Sequence, residues 1–352
     1  MRNLGKFLAP VLFFYVLPAT GQTPEQRPDM DNYQPARSNG PLPSAFLTST
    51  TEKIKEDRKK IDLGLDKGMQ KTEDDFYMQT NYAVDQLRFS GTVLVNDTMG
   101  MYVNRVADTL LAGDPELRKK LTFFILRSQY VNAFTTNEGA IFVTVGLLTR
   151  LHNEAELAMV LAHEIIHYKR QHVITGYVEG EKARQGIGQY EATTFENRFL
   201  KRHRYARNQE SQADEEGFDL LIASNYDPQA SVGAFDILAL AEAPFSDAHF
   251  DKSFFESNYF VFPSKFQPDT VKAVKPADDD EDDDLATHPS VYKRRKAMMK
   301  RFGKLNAADT SGKQFLVSEL MFYRVREIAR FEECAEHIGD TDYSPAIYSN
   351  YS

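Results

Sequence analysis

Five consecutive residues, His163-Glu164-Ile165-Ile166-His167, constrain this chain more than any other feature. Residues four apart share one helix face, one turn above the other, so a helix here lets both imidazoles bind one metal ion. Glu164 lies about 100° around from His163. That angle suits it poorly as a third ligand and well as a base for a metal-bound water. The pattern points to a zinc hydrolase, most often a protease.

The chain has 352 residues, 42% of them hydrophobic, enough for a large core. No stretch approaches the ~18 apolar residues of a membrane span. Residues 1–21 combine a basic n-region (Arg2, Lys6), an apolar run from Phe7 to Leu17 and small residues at Ala19-Thr20-Gly21. They read as a cleaved secretory signal, so the chain is expected in the periplasm or secreted, with no transmembrane segment once the signal is removed. The single cysteine, Cys334, allows no intramolecular disulfide and reads as a structural thiol. The formal charge is −9, but Asp278 to Asp284 carries −7 of it, leaving −2 elsewhere. Nothing in this balance suggests a nucleic-acid surface.

Residues 22–49 are polar and proline-containing and read as a disordered lead-in; 50–90 read as a charged, partly helical segment. Asp97 is expected to cap a helix running to about Ala112. Leu121 to Leu126 and Ala140 to Leu147 read as strands. Glu154 to about Lys169 carries the histidine motif on a buried helix, and about Glu196 to Ala223 forms a second long helix. An acidic loop occupies 276–286, a helix runs from Pro289 to about Phe302, and 304–352 holds a last helix with a frayed tail.

Two histidines need a third protein ligand and an open position. A third histidine at position 173, after a glycine at 170, is one solution; Val173 and Arg170 exclude it. His172, about 140° around a continued helix from His167, reads as a structural or surface residue. The other solution is a carboxylate from a second helix. Glu210 and Asp214 share a helical face, so Glu210 can reach the metal while Asp214 accepts a hydrogen bond from a ligand histidine. Ala213 and Gly217 would let the two helices approach closely.

From about Gly91 to Phe302 the chain resembles the HtpX / type-I CAAX prenyl protease family of gluzincin metallopeptidases, in its soluble periplasmic branch. Four motifs carry the resemblance, in order: Asn132-Ala133-Phe134, His163-Glu164-x-x-His167, Glu210-x-x-Ala213-Asp214, and Thr287-His288-Pro289 with Arg294 six residues after the histidine. It implies an α+β, zincin-like metallopeptidase domain over 91–303, mostly helical, with a small sheet whose edge strand borders the cleft. It implies one Zn2+ per chain on His163, His167 and Glu210, with Glu164 as general base and His288 and Arg294 as oxyanion partners. The strand Ala140, Ile141, Phe142 and Val143 would be the edge to which a peptide adds, with Asn132 and Ala133 bordering the cleft. The membrane helices of the family's multi-spanning members and the helical repeats of some soluble members are not evident here.

These readings favour an exported zinc endopeptidase acting on unfolded or misassembled envelope proteins. The alternative is a zinc-stabilised, chaperone-like binding protein with latent activity. The partner is a polypeptide substrate; an envelope protein partner stays unidentified. The acidic run reads as a solvated loop or, through its nearness to His288, as a gate that sets His288 on the open metal position. The gate predicts that His288→Ala raises or broadens proteolysis in a casein assay. Loss of activity with zinc content and folding intact would give His288 a direct catalytic role.

Overall fold

The computed structural model describes residues 33–191, 194–241, 253, 256–261, 263, 290–306 and 309–351. The expected signal (1–21), the acidic loop and Thr287-His288-Pro289 lie outside the described residues. In chain order the helices are α1 (Ser44–Leu47), α2 (Thr50–Arg58), α3 (Lys67–Phe89), α4 (Thr98–Leu110), α5 (Pro115–Arg118), α6 (Val145–Arg150), α7 (Glu154–Lys169), α8 (His172–Gln185), α9 (Phe195–Ala223), α10 (Ala230–Ala239), α11 (Val291–Phe302), α12 (Glu319–Gly339) and α13 (Tyr343–Tyr351). The strands are β1 (Val93–Leu94), β2 (Thr122–Leu126), β3 (Ala133–Thr135) and β4 (Ala140–Thr144). Among the described residues no helix is long and apolar enough to cross a membrane.

Helix α7 is the centre of the core. Asn153 caps it by accepting from the Glu156 amide, and Glu154 and Glu156 in its first turn suit the positive end of the helix dipole. Leu157, Ala158, Leu161, Ala162 and Ile165 are all fully buried. Helix α9 packs along it. A Cβ built on Gly217 would lie 3.1 Å from the His163 nitrogen and 3.3 Å from the Ala162 carbonyl carbon. Only glycine fits this contact without moving one backbone off the other.

The four strands are ordered β1-β2-β4-β3, with β2 and β4 parallel and the outer pairs antiparallel. This corrects the expected edge. β4 lies inside the sheet, and Ala140, Ile141, Phe142 and Val143 are at most 2% exposed, so no peptide can add there. The run is apolar on both faces because it is covered on both faces and paired on both sides. Ile141 and Val143 join the core of α7, while Phe142 stacks between Phe124 and Phe134 on the opposite face. The strand is also shorter than expected. It ends at Thr144, whose side chain caps α6 by accepting from the Leu147 amide, so Val145 to Leu147 are helical. The sheet's edges are β1 and β3, and β3 is the one next to β4.

The N-terminal segment covers the sheet's second face. Phe46 packs on Phe124, and buried Arg88 of α3 bonds Asp85 (3.2 Å) and Glu138 (2.8 Å) in the β3–β4 turn. The lead-in expected to be disordered is tied down over part of its length. The Asn39 amide donates to the Val95 carbonyl (2.9 Å), Ser38 Oγ accepts from the Val95 amide (3.0 Å), and the Ala36 amide donates to Glu332 (2.6 Å). The tail expected to fray forms α13, with Ala346 buried and its carbonyl accepting from the Cys334 thiol.

Glu154 joins distant parts of the chain. Its carboxylate accepts from the Tyr102 and Tyr226 hydroxyls and from the amides of Leu316, Val317 and Ser318. Burial alone would raise its pKa, but these donors outweigh burial and hold it below the ordinary carboxylate range. Its contribution is therefore full above the unfolded-state pKa and is lost as pH falls through the lower folded value. Glu154→Leu should destabilise the fold by about 3 kcal/mol or more, because buried donors are left unpaired. Urea denaturation at neutral pH measures this, and the gap from wild type should narrow in acid.

Candidate active site

Helix α7 places His163 and His167 side by side, Nε2 to Nε2 2.9 Å. From α9, Glu210 reaches both: Oε2 is 3.6 Å from His163 Nε2, and Oε1 is 3.6 Å from His167 Nε2. A tetrahedral zinc with bonds of 2.0–2.2 Å has ligand–ligand edges of about 3.3–3.6 Å. These three are the described His, Cys, Asp or Glu residues that cluster closely enough to hold an ion. Two imidazoles and one carboxylate converging on a point fit zinc with an open position.

Each histidine is oriented from behind. Asp214, one turn after Glu210, accepts from His163 Nδ1 at 2.9 Å. That contact puts the proton on Nδ1 and turns the bare Nε2 to the centre. Behind His167 stands His172, whose Nδ1 is 3.1 Å from His167 Nδ1. Burial and the neighbouring His163 and His172 depress His167 to a pKa of about 2, so it is neutral, as a ligand must be.

Arg294, expected beside the oxyanion, lines the cavity and pairs with two of its carboxylates. Its Nε and Nη2 bond the two Asp214 oxygens at 2.8 and 2.7 Å, and Nη1 is 3.2 Å from Glu210 Oε2. Its face rests over Phe235 at 5.1 Å. All three guanidinium nitrogens are committed to carboxylates, because two buried acids side by side need a cation. Burial pushes Asp214 up, but Arg294 and His163 outweigh it and hold the carboxyl below its ordinary range.

Glu164 is buried beside the trio. Burial, reinforced by the charge of Glu210, pushes its pKa up to about 7, against the opposing pull of His163, Arg294 and a hydrogen bond from the Thr135 backbone. A carboxylate with that value is matched to proton transfer at neutral pH. The trio and Glu164 open into a cavity of about 450 Å³. One wall is Asn132, Ala133, Phe134 and Thr135; apolar Met159 and Leu238 also line it. Because Phe134 pairs with Phe142 while the Thr144 and Thr136 amides donate to Asn132 and Ala140, the main-chain groups of Ala133 and Thr135 point away from β4. The Thr135 amide is taken by Glu164, and the Ala133 groups and the Thr135 carbonyl form the open part of this edge beside the trio.

The structure thus brings His163, Glu164, His167, Glu210, Asp214, Arg294, Asn132 and Ala133 to one cavity. It excludes Ala140 to Val143. The sequence does not assign Thr135 and Phe134 to the cavity, or His172 to the place behind His167. Phe134 stood within a quoted motif, whereas His172 was set aside on a straight-helix projection.

The family model for peptidase family M48 matches residues 101–302, more than half of the chain. This chain belongs to peptidase family M48. It is accordingly a metallopeptidase, and the matched span contains every element that builds the cavity. Curated relatives include the beta-barrel assembly-enhancing protease of Yersinia pestis, 27% identical over 34% of this chain and 25% of that protein. The putative beta-barrel assembly-enhancing protease of Vibrio cholerae is 25% identical over 51% and 40%. The Escherichia coli protein of the same kind is 24% identical over 43% and 34%. The chain therefore matches well under half the length of these relatives. Asp214→Ala, which strips the partner from His163 Nδ1 and leaves Arg294 unpaired, should weaken zinc binding by about 10–100-fold. Competition with a chromogenic chelator measures it.

Proposed function

We propose that this protein is an exported zinc endopeptidase that cleaves extended stretches of unfolded or misassembled envelope proteins. The observation that carries the reading is the outer edge of β3, whose Thr135 amide meets Glu164 and whose remaining main-chain groups lie beside the His163–His167–Glu210 trio. An extended chain added to that edge gains main-chain hydrogen bonds irrespective of its sequence and brings successive peptide carbonyls past the trio. Only a segment that is extended and unpaired along one side can add there, so the geometry favours unfolded stretches over buried, paired ones. The names of the relatives suggest proteins undergoing β-barrel assembly as substrates, and the basic and apolar stretch in residues 1–21 supports an extracytoplasmic location.

Zinc, when bound by His163, His167 and Glu210, would polarise the scissile carbonyl and acidify the attacking water. Glu164 takes the proton from that water and returns it to the leaving amine, a role that its raised pKa suits. Asp214 and His172 fix the two imidazoles, and Arg294 balances the carboxylates of Asp214 and Glu210 while its unused N–H groups leave the oxyanion role open to it. His288 remains a candidate for the oxyanion or for the gate.

Glu164→Gln keeps the side chain's shape and removes the base. The purified full chain with zinc should cleave casein, and the variant should lose about 10²–10⁴-fold in rate while still binding zinc. Equal cleavage by both would sink the mechanism. Absence of cleavage by wild type with zinc bound would favour a latent or binding role.

A further inference from the structure

We propose that His172 is a positioning residue that locks His167 into its metal-binding tautomer, acting as the middle link of a directed hydrogen-bond chain to the surface. The inference rests on the zinc reading of the site. The chain runs from His167 Nδ1 to His172 Nδ1 (3.1 Å), from His172 Nε2 to Gln212 Oε1 (3.2 Å), and from Gln212 Nε2 to Glu216 Oε1 (2.8 Å). Arg170 holds Glu216 in a two-point ion pair at 2.8 and 2.9 Å.

The direction of every link follows from the last one. A carboxylate paired with an arginine only accepts, so Gln212 must turn its NH₂ to Glu216 and its oxygen to His172. An oxygen facing His172 Nε2 requires a proton on Nε2. In a neutral imidazole the other nitrogen, Nδ1, is then bare. A bare His172 Nδ1 facing His167 Nδ1 requires the proton of that pair to sit on His167. His167 Nε2 is therefore left with its lone pair, and that atom faces His163 Nε2 and Glu210. The two ligands are thus oriented differently, His163 by a carboxylate and His167 by a neutral ring.

Chain geometry makes this contact possible. α7 stops at Lys169, Gln171 adopts a left-handed conformation (φ 55°), and α8 begins at His172. The reversal swings His172 back beneath His167, where it is 6% exposed.

Three full-length proteins test the proposal by chelator competition for zinc, with thermal melting of the zinc-free forms as a check on folding. His172→Phe removes the acceptor and should weaken zinc binding by about 10–100-fold. His172→Asn places Oδ1 where Nδ1 stood and should recover affinity to within about threefold of wild type, which a merely space-filling role does not predict. Independently of any variant, ¹⁵N spectra of the zinc-free wild type should show His167 protonated at Nδ1. Wild-type affinity in His172→Phe, equal loss in both variants, or a His167 protonated at Nε2 would overturn the proposal. Failure of wild type to bind zinc would instead overturn the zinc reading and this inference with it.

Discussion

The close contact of α9 with α7 at Gly217 sets the geometry of the whole site. A third ligand on a separate helix is useful only if that helix lies within a side chain's reach of the first two. Glu210, Ala213, Asp214 and Gly217 repeat at spacings of three and four, so one face of α9 addresses one point on α7. Gly217 meets the His163 backbone, Asp214 the back of the His163 ring, and Glu210 its front. A side chain at 217 would lift all three together. A packing constraint on a residue with no chemistry therefore governs residues that have it.

The same closeness concentrates charge. Glu164, Glu210 and Asp214 lie within a few side chains of one another in a largely water-free setting, where unbalanced charge is costly. Arg294 spans two of them. Glu164 has no such direct partner, and burial raises its pKa to about 7. The division follows from geometry: Arg294 and His163 hold Asp214 below the ordinary carboxylate range, while Glu164, without such a direct pairing among the described residues, is raised.

The sheet contributes an edge and little else. β3 is three residues long, and such a strand needs support to hold its position. It is paired to the buried β4 on one side. Its turn carries Glu138, which bonds Arg88 in the N-terminal segment. The segment before the peptidase domain thus braces the wall along which an extended chain would lie.

The sequence alone was enough to indicate that His163, His167 and Glu210 come together and which helices carry them. Spacing of four on a helix is local geometry, so His163 with His167, and Glu210 with Asp214, could be read without knowing where the helices go. The Asp97 cap of α4 and the boundaries of α4, α7 and α9 were legible for the same reason. Relations between elements were not. In the run Ala140 to Val143 apolar character on both faces was the one sign of an interior place, and it does not say which strands lie on either side. Arg294 was legible as a nearby cation, but only the approach of α11 to α9 commits its guanidinium to Asp214 and Glu210. His172 was legible as structural or surface, but its place behind His167 depends on one left-handed residue, Gln171, that separates α8 from the helix along which it was projected. Tertiary structure decided these points because strand order, ion pairing and chain reversal depend on contacts between residues far apart in sequence, or on a single backbone angle that no periodicity encodes.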